Sequence, residues 1–206
     1  FLVLTGDIMK DLKKSTLGEK ILKWDGNDPD LSLTLPSRYF FDKEIFDREI
    51  DTIIYPSWHF VCHKSEIPNI GDFVKFDIVK ESVLVIRAED ETVNAMHNVC
   101  KHRGTQLIQD RRGNIKNMIT CPYHAWSYHL NGNLRHAPRC ENMKEFSKDD
   151  WGLSKVQIEE FAGFYFINFD PNASSLADDI PGAYEAMSPY FPDLDEITFI
   201  EEVDMV

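Results

Sequence analysis

Two short segments constrain this chain more than any other feature. They are Cys100-Lys101-His102 and Cys121-Pro122-Tyr123-His124, a Cys-x-His and a Cys-x-x-His with 18 residues between them. Each offers one soft thiolate and one imidazole, and one loop delivers both at little extra entropy. A fold that uses them must bring two loops to one place. Spacing alone leaves two metals open. A structural zinc accepts two Cys and two His in a tetrahedron. A [2Fe–2S] cluster of mixed ligation takes two Cys on one iron and two His on the other. Zinc fingers place their second pair as His and His. Here each half is mixed, which suits a cluster lying between two loops.

The surrounding pattern is that of an antiparallel β body. From Trp58 the apolar period becomes two. Trp58 to His63, Phe73 to Val79, Val83 to Arg87, Thr92 to His97, Trp126 to Leu130, Val156 to Glu160 and Phe164 to Phe169 read as strands. Turn signals separate them at Asn69-Ile70-Gly71-Asp72, Glu89-Asp90-Glu91 and Asn131-Gly132-Asn133. Before this body the reading is helical. Asp7 to Trp24 is one expected helix, with a loop at Gly26 to Asp30. A second follows an Asp42 N-cap, with Ile45, Phe46, Ile50, Ile53 and Ile54 at helical spacing, and Pro56 stops it. After Asp170-Pro171 the chain turns polar and then offers a short helix over Pro181 to Met187.

Charge excludes some partners. The chain of 206 residues carries 22 Lys and Arg against 35 Asp and Glu, a net −13. That field repels phosphates, so neither nucleic acid nor an anionic membrane is expected. No apolar run approaches the ~20 residues of a membrane span. Phe1-Leu2-Val3-Leu4 is too short for a signal-peptide core and lacks a basic segment before it. Four cysteines do not make a disulfide scaffold, so a reducing, cytoplasmic setting is expected. One island runs the other way. Residues 98 to 140 hold seven basic side chains against Asp110 alone, a net +6. Read functionally, Lys101, Arg111, Arg112 and Lys116 form a collar that docks an acidic electron donor. Read plainly, they are a solvated basic hairpin.

Other candidates are read as structural. His59 and His63 stand four apart, but a strand separates them by ~13 Å, too far to share one ion. Cys62 is expected as a buried thiol on the face of Trp58 and Phe60, and Cys140 as a free surface thiol. His97, His129 and His136 are read as packing or hydrogen-bonding residues.

The two ligand segments in their fuller form are Cys100-Lys101-His102-Arg103-Gly104 and Cys121-Pro122-Tyr123-His124-Ala125-Trp126-Ser127-Tyr128, with Gly132 and Leu134 following. These closely resemble the Rieske domain of Rieske non-haem iron oxygenases, the ring-hydroxylating and related enzymes. Trp58, Gly71-Asp72-Phe73, Asn98-Val99 and Gly163-Phe164 through Asp170-Pro171 extend the likeness over roughly residues 38 to 175. The resemblance implies a mainly β Rieske fold of small antiparallel sheets with two cluster-binding loops, plus N-terminal helices. It implies an extension over 1–56, the [2Fe–2S] domain over 57–172, and over 173–206 the start of a linker. It assigns Cys100 and Cys121 to one iron and His102 and His124 to the other. Around them Trp126 shields the cluster and Tyr123 stands in the second loop. Arg103 and Gly104 shape the first, with Gly104 relieving crowding where amides approach sulfur.

Respiratory Rieske proteins carry an extra disulfide-forming Cys in each loop; Thr105 and Tyr123 stand at those positions here. The Ser that follows their second loop is also unmatched. Fewer hydrogen bonds to sulfur lower the potential, so a value on the order of −150 mV is expected.

By the same resemblance, a reductase or ferredoxin supplies electrons. A larger second domain with a mononuclear non-haem Fe(II) activates O2 and oxidises a small organic substrate, in a homotrimer. This chain reaches only the point where the family passes into that domain. No catalytic residue is therefore expected within it, and by itself it carries electrons without oxygenating anything. Leu35-Pro36-Ser37-Arg38-Tyr39-Phe40 and the second loop look more like oxygenases that demethylate quaternary amines than like naphthalene-type dioxygenases. Two other readings remain: a free-standing Rieske ferredoxin-like carrier, and a zinc-stabilised interaction module. Colour separates the last from the others, because a Rieske cluster absorbs visible light and zinc does not.

Overall fold

The computed structural model describes residues 37–140 and 143–202. The chain divides into two compact units, residues 1–55 and 56–206. The expected Asp7 to Trp24 helix lies outside the described residues.

In the first unit, a 3-10 turn over Ser37–Phe40 leads to helix α1, Lys43–Glu49. Asp42 caps it as expected, its side chain accepting the Glu44 N–H at 2.9 Å. The continuation differs from the expected α-helix. Ile50–Ile54 forms a π-turn, closed by the Tyr55 N–H on the Ile50 carbonyl at 2.9 Å. β-Branched residues crowd this stretch, and the Thr52 hydroxyl bonds the Arg48 carbonyl at 2.8 Å, competing with the regular ladder.

Among the described residues the second unit is built on ten strands. They are β1 His59–His63, β2 Asp72–Ile78, β3 Glu81–Arg87, β4 Val93–His97, β5 Arg112–Asn114, β6 Ile119–Thr120, β7 Ser127–Tyr128, β8 Leu134–His136, β9 Lys155–Phe161 and β10 Phe164–Asn168. One seven-stranded sheet runs β1-β10-β9-β4-β3-β2-β5, a three-stranded sheet runs β6-β7-β8, and every pairing is antiparallel. The long strands fall where the period of two placed them. β5, β6 and β8 carry no such period. They are two or three residues long and exist because a neighbour offers a ladder, as β2 does to β5 through Val74 and Arg112.

The sheet separates two apolar cores, and β3 serves both. Val83 and Val85 pack with Val61, Cys62, Ile67 and Ile167, while Leu84 and Ile86 pack with Met96, Trp126, Tyr128 and Leu130. These four side chains are fully buried, so β3 has no solvent face over Val83–Ile86.

The β9–β10 hairpin turns on Ala162 and Gly163, with φ of 51° and 83°. Gly163 is required there, because a Cβ would lie 2.7 Å from Asp195 Cα. Asp195 belongs to the segment after residue 172, expected as the start of a linker. That segment packs back on the β body. Trp58 Nε1 donates to the Ser174 carbonyl at 3.2 Å, the Leu176 N–H to Glu159 at 2.8 Å, and the Phe199 N–H to Ser65 Oγ at 2.9 Å. The short helix expected over Pro181 to Met187 is present as Ala183–Met187.

His59 and His63 lie on β1 as expected, in different surroundings. The His59 ring faces Phe76 at 6.0 Å, and buried His63 packs on Phe164 at 4.9 Å. Cys62 is buried, but it does not share a face with Phe60. A register shift between them breaks the alternation and leaves Phe60 51% exposed. Burial, followed by the nearby Glu66 charge, pushes the Cys62 thiol up to about 12, so it stays protonated through neutral pH. Alkylation of the native protein at mildly alkaline pH should spare Cys62 and modify the half-buried Cys140. Unfolding should expose Cys62 to the same reagent, and equal native labelling of the two would contradict this burial.

Candidate metal centre

The two ligand loops share one backbone scheme. The Cys100 N–H donates to the Thr105 carbonyl at 2.8 Å, and the Gly104 N–H returns to the Cys100 carbonyl at 2.9 Å. In the second loop the Cys121 N–H donates to the Trp126 carbonyl at 2.8 Å, and the Ala125 N–H returns to the Cys121 carbonyl at 3.1 Å. The returning residues, Gly104 and Ala125, are both left-handed, with φ of 68° and 57°. One frame therefore presents His from the second position in the first loop and from the third position in the second. A Cβ at Gly104 would meet no protein atom within 4 Å. Its left-handed φ is what favours glycine.

The loops set two thiols below and two imidazoles above. Cys100 and Cys121 are buried and belong to the core of Trp126 and Tyr128. Burial raises the Cys100 thiol; hydrogen bonds from the Tyr128 hydroxyl and the His102 N–H oppose this, and neighbouring Cys121 adds to it. Two adjoining buried sulfurs favour a cation that takes both as thiolates. Above them the His102 and His124 rings lie 4.7 Å apart between centroids. His102 Nδ1 is buried with no hydrogen-bond partner, as a nitrogen that would ligate a metal must be. Lost hydration, then the charges of His102, Arg103 and Arg139, lower the His124 imidazole from its usual range, which favours the neutral form that binds metal. Among the described residues, no three His, Cys, Asp or Glu side chains converge as a single-ion site. A sulfur pair beneath an imidazole pair fits a two-iron cluster with two ligands per iron better than a tetrahedral zinc.

The neighbours form a wall and a cleft. Trp126 stacks on His102 at 5.0 Å with 6° between planes, and is itself backed by Trp151 at 5.5 Å and Phe146 at 6.0 Å. Tyr123, expected as part of the loop, is 61% exposed with its ring 3.9 Å from that of His124. Beside the imidazoles opens a cleft of about 550 Å3 lined by Arg103, Pro138, Arg139 and Cys140. Cys140 is thus half-buried at this cleft.

Tyr128 carries a role that no sequence pattern signals. Fully buried, its hydroxyl lies 3.3 Å from Cys100 Sγ and accepts the Lys101 N–H at 3.1 Å. So one sulfur does receive a hydroxyl partner, which the comparison with respiratory proteins did not supply.

Two of the arginines expected in the docking collar are paired within the chain. Arg111 pairs with Glu202, and Arg112 bridges Glu66 and Glu202 at 2.7 Å each, with its guanidinium 4.5 Å from the Phe199 ring centre. These two arginines clasp the C-terminal segment. Lys101 Nζ donates to Ser154 Oγ at 2.5 Å, and Lys116 is exposed. Arg103 and Arg139 line the cleft beside the imidazoles. His97 pairs with Glu81 at 3.0 Å, consistent with the hydrogen-bonding role expected of it.

Comparison with known proteins agrees with this architecture. Residues 57–147 match the Rieske [2Fe-2S] domain model. The chain is 45% identical over 155 residues to the carnitine monooxygenase oxygenase subunit of Escherichia coli K12, covering 75% of this chain and 41% of that protein. It is 40% identical over 154 residues to the alpha subunit of 2-aminobenzenesulfonate 2,3-dioxygenase of an Alcaligenes species, covering 73% and 39%. The apo crystal structure of a quaternary ammonium Rieske monooxygenase superposes with a TM-score of 0.76 at 35% identity, covering 79% of this chain and 47% of that one. The fold and the paired loops are those of a Rieske [2Fe–2S] domain. Beyond that domain, the chain is similar to the alpha subunits of Rieske oxygenases. It spans less than half the length of these relatives.

Proposed function

We propose that this chain is the electron-entry part of an oxygenase component, with Cys100 and Cys121 holding one iron of a [2Fe–2S] cluster and His102 and His124 the other. The observation that carries the reading is the buried thiol pair beneath a surface pair of imidazoles, one with an unpartnered inner nitrogen. When bound, such a cluster supplies a one-electron couple. The chain's own residues set its surroundings. Tyr128 directs its hydroxyl at the Cys100 sulfur. Trp126 covers one face of His102 and keeps water from it. Exposed His124 and Tyr123 offer an aromatic edge to a partner, and Arg103 and Arg139 attract an acidic one.

The donor in this reading is a reductase or ferredoxin. The whole protein is a cytoplasmic oxygenase, trimeric as the sequence resemblance implies, whose further domain holds a mononuclear iron and activates O2. The likeness to the carnitine enzyme and to the quaternary ammonium monooxygenase supports a quaternary amine as substrate. Iron analysis and reductive titration of the purified chain test the core of the proposal. Two irons, visible absorbance and uptake of one electron per chain support it, whereas one colourless metal per chain supports the zinc module. Offering the whole protein carnitine and naphthalene in parallel tests the substrate class.

Arg103→Glu with Arg139→Glu should slow reduction by the donor about tenfold at low salt, and the difference should shrink as salt rises. Arg111→Glu with Arg112→Glu should instead loosen the C-terminal segment, seen as faster proteolysis there. Equal slowing by both pairs would return Arg111 and Arg112 to the collar.

A further inference from the structure

Asn98 stands two residues before Cys100 and is fully buried. Its Nδ2 donates to the Ile108 carbonyl at 2.7 Å, and its Oδ1 accepts the Ile108 N–H at 2.9 Å. One side chain thus satisfies both backbone groups of one residue, as a strand partner would. The Asn98 backbone is held as well. Its N–H donates to the Ser82 carbonyl at 2.8 Å, and its carbonyl accepts the Leu107 N–H at 3.2 Å. The Ser82 hydroxyl, on β3, lies 3.2 Å from Asn98 Nδ2 and 3.4 Å from Gln106 Nε2, and donates to Asp77 on β2 at 2.6 Å.

The second ligand loop has no such side chain and does not need one. It springs from paired strands, with Ile119 opposite Tyr128 and Thr120 opposite Ser127. At the base of the first loop, strand pairing is limited to the single bridge between Val99 and Gln106. Residues 98 and 108 are the two ends of that loop, and the carboxamide spans them.

We propose that Asn98 is a positioning residue whose carboxamide stands in for strand pairing at the base of the first loop and holds Cys100 and His102 in register with Cys121 and His124. This rests on the ligand assignment above. Asn168 provides a matched control. It too is fully buried, with Nδ2 donating to the Pro56 carbonyl at 2.8 Å and Oδ1 accepting the Asp170 N–H at 2.9 Å, and it touches neither ligand loop in these bonds.

The experiment compares Asn98→Leu with Asn168→Leu, since Leu fills similar volume without hydrogen bonding. Asn98→Leu should release iron to a chelator about tenfold faster than the unmodified protein, for the loss of one or two buried hydrogen bonds. The visible circular dichroism of the remaining cluster should shift, with amide exchange rising over residues 99 to 108 and not over 121 to 126. Asn168→Leu should lose thermal stability while keeping the unmodified spectrum and release rate. An unmodified spectrum and release rate in Asn98→Leu, or the same spectral change in both variants, overturns the proposal.

If Asn98→Leu does not fold, amide exchange in the unmodified protein decides. The Ile108 N–H should exchange about a hundredfold more slowly than an unstructured amide, and unprotected exchange overturns the proposal. A colourless unmodified protein overturns the ligand assignment and with it the positioning role. Protection at Ile108 would then leave Asn98 as a loop closure alone.

Discussion

Replacing any one of Cys100, His102, Cys121 or His124 with Ala abolishes the visible absorbance of the purified protein and its bound iron. On the proposed assignment each substitution removes one of two ligands on one iron, and an iron left with a single protein ligand is not retained. The rest of the molecule should survive. The two thiols belong to the core that contains Trp126, Tyr128 and Leu130, while Val61, Cys62, Val83, Val85 and Ile167 form a second core across β3. Far-ultraviolet circular dichroism should therefore keep its β signature in all four variants. The histidine variants should be the milder in stability, since His124 is exposed and His102 lies at the outer edge, whereas the cysteines are buried in packing. A normal spectrum in any one variant removes that residue from the ligand set.

Tyr128→Phe lowers the reduction potential by tens of millivolts and leaves the cluster in place. The hydroxyl accepts the Lys101 N–H at 3.1 Å, which leaves its own proton free for Cys100 Sγ at 3.3 Å. Burial, then the Cys100 contact, holds the phenol above its usual range, so it remains a donor at any working pH. A donor on sulfur stabilises the state with more negative charge, which is the reduced one. Removing it therefore disfavours reduction. A hydrogen bond to a charged group of about 1.5 kcal/mol corresponds to about 65 mV for one electron. Phe keeps the ring in the core, so packing changes little. A spectroelectrochemical titration checks the shift, and an unchanged potential with an intact spectrum would show that the hydroxyl does not act on the sulfur.

The N-cap at Asp42, the long strands and the two Cys–His pairs are all legible in the amino-acid sequence, for a common reason. Each depends on residues close in the chain: a capping side chain two positions from its amide, an alternation over five to seven residues, two donors on one loop. β5, β6 and β8 are not legible there, because two or three polar or mixed residues become a strand only when a partner strand lies alongside. The bulge that turns Phe60 outward and Cys62 inward depends on the register against β10 in the same way.

The basic island shows the limit most clearly. The order of residues is enough to establish that seven cations cluster around the ligand loops, and that a Cys-x-His and a Cys-x-x-His could chelate a metal. Which cations face that metal is settled only by folding. Glu202, some 90 residues along the chain, claims Arg111 and Arg112, while Arg139 lines the cleft beside His124. Folding also brings Tyr128 to the Cys100 sulfur across 28 residues and sets Asn98 on both backbone groups of Ile108. Local pattern specifies which groups are available and which way a strand or turn presents them. Pairing between distant groups depends on how the loops close and the sheets register, and no window of sequence contains that information.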